Sequence, residues 1–141
     1  MKHLHLPTAA LMLAFSLILP VHSSALGLDS FLGEINVSAH ADLGSFRADL
    51  SATFGVSAHE VEGLFEVLDS PADVYITLRI GQVARVPIER VLSQYRANKS
   101  RGWGVIAKNL GIKPGSPEFH ALKKGRKPHK GKGPSRTTGH R

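Results

Sequence analysis

The stretch that most limits the fold runs from Gly102 to Leu122, GWGVIAKNLGIKPGSPEFHAL. It carries the chain's only tryptophan, Trp103, with four glycines, two prolines and a tight run of apolar residues. Gly111 stops a helix, because glycine readily takes the left-handed conformation needed just past a helix end. Pro114 and Gly115 occupy the two central positions of a turn. Ser116-Pro117-Glu118 then restarts a helix: serine caps, proline sits at the first helical position, and the acid meets the positive helix end. The stretch therefore predicts a short helix over Trp103–Leu110, a turn, and a second short helix packed down by Phe119 and Leu122. Helices this short bury too little alone and must stack on others.

The segments upstream follow the same grammar. Leu43, Phe46, Leu50 and Phe54 recur at steps of three or four and predict a helix that Gly55 ends. Ser57 with Glu60 forms a capping box for the next helix, whose buried stripe is Val61, Leu64, Phe65 and Leu68. Ser70-Pro71-Ala72-Asp73 is another start signal. The residues after it read two ways. Val74, Ile76, Leu78 and Ile80 alternate as a strand would, and the run is rich in β-branched residues. The cap signature and the helical surroundings favour a helix, which is the assignment taken. Val86-Pro87 opens a further helix with Ile88, Val91, Leu92 and Tyr95 inward.

Val56, Val86 and Ile112 each supply one aliphatic to a turn between two helices, which makes a weak architectural repeat of unequal spacing. The expected fold class is all-α: a small bundle of short helix-turn-helix pairs over residues 43–123. Before it, Ile35, Val37, Ala39, Ala41 and Leu43 alternate at the period of a strand. Residues 26–42 are accordingly expected as an extended arm or linker lying on the domain, with a short strand as the alternative.

The first 25 residues have the layout of a secretory signal peptide: a basic start, an apolar run from Leu6 to Val21, and small residues before a cut after Ala25. The run is shorter than the roughly 20 residues a spanning helix needs, and Pro7 and Pro20 bound it. The expected location is periplasmic or secreted, with no integral membrane span after processing. There is no cysteine, so neither a lipid-modified thiol nor a disulfide is available. Stability must come from apolar packing in a small core.

Charge is unevenly placed. Residues 26–74 carry nine acids against Arg47, net −8, whereas residues 75–122 are net +6. From residue 123 onward there are eight bases and no acid: Lys123, Lys124, Arg126, Lys127, Lys130, Lys132, Arg136 and Arg141. Residues 124–141 contain almost nothing to bury and are expected to be a disordered basic tail.

The central stretch resembles a family of small exported bacterial proteins of unassigned activity. The resemblance rests on Gly102–Ala107, Leu110–Ser116 and Glu118–Leu122, with Ser70–Asp73, Tyr95-Arg96, Asp42-Leu43 and Phe46-Arg47 also similar. It spans roughly residues 42–124 and implies a helical fold. It implies no catalytic residues, and the basic tail lies outside it.

Function is read from what remains. The eight tail bases point to an anionic envelope polymer or lipid surface, where each Lys or Arg contributes on the order of 1 kcal/mol. A solvated, unselected end is the plainer reading of the same run. Trp103 and Lys113 are candidates for binding another envelope protein, since tryptophan is enriched at binding hot spots. The duller role for Trp103 is core packing. Helix-turn-helix pairs with nearby bases admit a nucleic-acid-binding reading; the signal peptide argues against specific DNA recognition. His40, His59, His120, His129 and His140 show no zinc-ligand spacing, so no metal or other cofactor is expected. No nucleophile elbow or phosphate loop is present, and a non-enzymatic protein is expected.

Overall fold

The computed structural model describes residues 23–124, with side chains from Gly27 onward. Among them run α1 (Ser23–Ala41), α2 (Leu43–Phe54), α3 (Ala58–Val67), α4 (Pro71–Ala84) and α5 (Ile88–Asn98). A 3-10 turn (Lys99–Arg101), α6 (Trp103–Asn109) and α7 (Pro117–Leu122) follow, and the described residues contain no strand. The fold is all-α. Residues 1–22 of the expected signal peptide (1–25) and residues 125–141 of the expected basic tail (124–141) lie outside the described residues. The expected cut after Ala25 falls in the first turn of α1.

Residues 26–42 are not an extended arm, nor a strand. Leu28, Leu32, Ile35 and Ala39 are spaced four, three and four apart, and all four are buried along one side of α1. Val37, which completed the alternating pattern, is 75% exposed. The domain thus begins in α1, not at Leu43, and Leu43 itself lies on the surface.

The helix α4 is the centre of the bundle, packed against α1, α2, α3, α5 and α7. Val74, Tyr75, Ile76, Thr77, Leu78 and Ile80 are all buried. A helix packed against five others needs apolar residues round most of its circumference, and only Gln82 of α4 is exposed, so its 3.6-residue stripe is weak. That is why its sequence also read as a strand. Phe31 of α1 and Phe54 of α2 each meet Tyr75 edge-on, with ring centroids 5.8 Å apart. Gly81 lets α5 approach: a Cβ there would lie 2.8 Å from Ile88 Cδ1 and 3.3 Å from the Val86 carbonyl oxygen.

Local chemistry sets the helix ends. Ser57 Oγ accepts from Glu60 N at 3.1 Å, and Glu60 Oε2 accepts from Ser57 N at 2.8 Å. The start of α4 is satisfied from two directions: Ser70 Oγ accepts from Asp73 N, and Asn36 Oδ1 of α1 accepts from Ala72 N at 2.8 Å. Each orphan amide left at a helix start needs such a partner. At the other end, Arg79 Nε and Nη2 both donate to the Ala121 carbonyl, tying α4 to the last turn of α7.

The three junctions foreseen in the repeat share one geometry. Gly55, Arg85 and Gly111 have φ of 66°, 54° and 90°, and the aliphatic after each turns inward. Arg85 holds this conformation with a Cβ, at a cost of about 1–2 kcal/mol. The Val86 and Ile112 amides close the preceding helices by donating to the Gly81 and Ala107 carbonyls.

Thr77 is fully buried in α4, and its hydroxyl has no partner among the described residues. Replacing an unpaired hydroxyl with a methyl of the same shape removes a desolvation penalty. Thr77→Val is expected to raise unfolding free energy by about 1 kcal/mol, read from the urea midpoint at unchanged slope. An equal loss would mean the hydroxyl is bonded in solution.

Candidate functional site

Trp103 sits at the start of α6 under the 3-10 turn. Its indole stacks on Tyr95 of α5, with centroids 5.2 Å apart and planes 22° from parallel. Its Nε1–H donates to Asp73 Oδ1 at 2.6 Å, while Ser70 Oγ donates to Asp73 Oδ2 at 2.9 Å. One carboxylate therefore serves the cap of α4 and the buried indole together. Lys99 lies over the Tyr95 ring at 5.7 Å and pairs with Asp69 at the surface. Burial pushes the Tyr95 hydroxyl above the ordinary phenol range, and the carboxylates of Asp73 and Asp69 add to the shift. Lys99 is raised by its hydrogen bond to Asp69, and Asp69 is lowered by the same bond.

Trp103 is only 7% exposed, and its one polar atom is taken. The ring fills the space between α5 and the cap of α4, which is the core-packing role that the sequence also offered for it. Lys113 is exposed in the turn before α7 and remains available.

Capping and pairing charges make stability depend on pH at both ends. Glu60 is lowered mainly by the Ser57 backbone bond, and Asp42, which caps α2, mainly by the Ser45 backbone bond. A lowered carboxylate stabilises the fold above its unfolded pKa and stops doing so as pH falls through its folded value. Tyr95 and Lys99, both raised, stabilise below their unfolded values and stop doing so as pH rises through the folded ones. The melting midpoint is expected to be flat near neutrality, to fall below about pH 4 and again above about pH 10. Paired Asp42→Asn and Glu60→Gln substitutions should shallow the acid arm; an unaltered acid arm would contradict the assignment.

No group of three or more His, Cys, Asp or Glu side chains among the described residues is placed to hold a metal ion. The pair α2–α3 is a helix-turn-helix in form, yet its second helix presents Glu60, Glu62 and Glu66 to solvent. Those charges repel a phosphate backbone. A groove of about 490 Å³ between these helices is lined chiefly by Arg47, Ala48, Ser51, Ala52, Ala58 and Glu62. Arg47 pairs there with Glu62 at 3.5 Å and covers the Phe65 ring at 4.7 Å.

Among the described residues before the tail, the exposed bases lie late in the chain: Arg85, Arg90, Arg96, Lys99, Arg101, Lys108 and Lys113. They run on to the root of the tail. Of the eight tail candidates, Lys123 is half-buried and Lys124 exposed. Arg126, Lys127, Lys130, Lys132, Arg136 and Arg141 lie outside the described residues. Lys123 and Lys124 line an open groove of about 630 Å³ with Gly115, Pro117 and His120, along the outer side of α7. The basic run in the sequence pointed to this end of the molecule. The groove did not show in it, because Gly115 and Lys123 meet only once α7 has formed.

No helix among the described residues is long and apolar enough to cross a membrane. No protein-family model, curated protein or solved structure matches the chain.

Proposed function

We propose that the chain is an exported, non-enzymatic, envelope-associated binding protein whose basic tail contacts anionic polymers or lipids. The observation that carries this reading is the tail's charge, eight bases without an acid from Lys123 to Arg141. The apolar run from Leu6 to Val21 supports export, as does the resemblance of residues 102–122 to small exported proteins. Basic exposed side chains on the later helices continue the tail's field onto the domain.

Deleting residues 125–141 removes six bases. At about 1 kcal/mol per base near an anionic surface, and less for a chain spaced by glycine and proline, the loss is expected to exceed about a hundredfold. Sedimentation with vesicles containing an anionic phospholipid, at low and high salt, measures it. The full chain should bind at low salt and release at high salt, because such attraction is screened. Equal binding by the full and shortened chains would remove the tail from the function.

A further inference from the structure

Lys123 follows the last residue of α7, and its side chain reaches back across α1. A Cβ at Gly27 would come within 3.0 Å of Lys123 Nζ, so the ammonium lies close beside α1 and a side chain there would make it shift. The residue is half-buried, yet among the described residues no acid, hydroxyl or carbonyl pairs with it. An ammonium has three donors and no acceptor, so these donors stay available to a ligand. His120, one turn earlier on α7, and Lys124 line the same groove. Glu118, the acid of α7, lies about 200° round the helix from His120 and does not line it.

We propose that this groove is a phosphate-binding site at the root of the tail, with Lys123, Lys124 and His120 as its donors. Two lysines lining one concavity suit a multiply charged, many-oxygen group better than a single carboxylate. Arg126 and Lys127 follow within three residues of Lys124 in the sequence, so a phosphate polymer held in the groove would have further bases close at hand. The inference deepens the tail reading and rests on it for the polymer, but not for the single phosphate. The phosphate belongs either to a lipid headgroup or to a soluble phosphate polymer.

The test uses the full chain and inorganic phosphate at constant ionic strength, followed by amide resonances. Saturable shifts are expected at His120, Lys123, Lys124 and Gly27. Lys123→Ala should weaken binding roughly fivefold. Gly27→Ala should do the same by displacing the ammonium while removing no charge, and it favours the helix in which it sits. Lys108→Ala, a base exposed on α6, should have no effect. Absent or unsaturable shifts, or equal weakening by Lys108→Ala, would overturn the site.

Deletion of residues 125–141 should leave the phosphate shifts in place. Saturable shifts in a chain that does not bind anionic vesicles would uphold the groove and sink the tail reading. Vesicle binding without such shifts would do the reverse. Competition between phosphatidylglycerol vesicles and soluble polyphosphate names the source: a preference for either, sensitive to Gly27→Ala, upholds the site, and indifference to Gly27→Ala in both overturns it.

Discussion

Trp103→Ala is expected to lower unfolding free energy by about 3–5 kcal/mol, the range for emptying a large aromatic from a core. Three losses combine: the stack on Tyr95, the fill between α5 and the cap of α4, and the hydrogen bond to Asp73. The last can be separated. Trp103→Phe keeps a ring but strips Asp73 of its indole donor, and should cost about 1–3 kcal/mol. Denaturant unfolding followed by circular dichroism measures both, since the variants lack the fluorophore. A loss below about 1 kcal/mol for the alanine variant would show that the indole is dispensable to the fold.

A chain shortened to begin at Leu43 is expected not to fold, whereas one beginning at Leu26 should fold fully. Removing α1 strips cover from α4 and discards Leu28, Leu32 and Ile35, each worth roughly 1.5–3 kcal/mol when buried. The sum, roughly 5–9 kcal/mol, is comparable to the whole stability of a small domain. It also removes Asn36, which satisfies the Ala72 amide. Far-ultraviolet circular dichroism and a thermal melt of the two chains decide the matter. A cooperative melt from the Leu43 chain would mean that α1 only leans on a core complete without it.

Legibility in the sequence followed the range of each interaction. The capping box at Ser57 and Glu60, the Ser70 and Ser116 caps and the Gly55 stop depend on residues within four positions, and each was readable directly. In α1 two patterns overlapped. The Leu28–Leu32–Ile35–Ala39 helical spacing was present, but Ile35, Val37, Ala39 and Ala41 alternated across it, and only burial shows which pattern carries the packing. The ambiguity over α4 came from its packing, because a helix set against five others keeps only a narrow polar strip to mark its period.

The candidate site divided in the same way. A run of bases is visible as composition, so the tail's root was found. The bond from Trp103 to Asp73 spans 30 positions in sequence and depends on α5 and α6 converging on the start of α4. Nothing local distinguishes a tryptophan held in that way from one presented to a partner. The seat of Lys123 against Gly27 joins the two ends of the described chain and was invisible for the same reason.

The enclosure of α4 also bears on how the chain is made. Phe119 and Leu122 of α7 supply its final cover, and Arg79 finds its acceptor only at Ala121. A nascent chain emerging amino end first therefore has no finished interior until residue 122 is free of the ribosome. Until then α4 lacks the cover that α7 supplies.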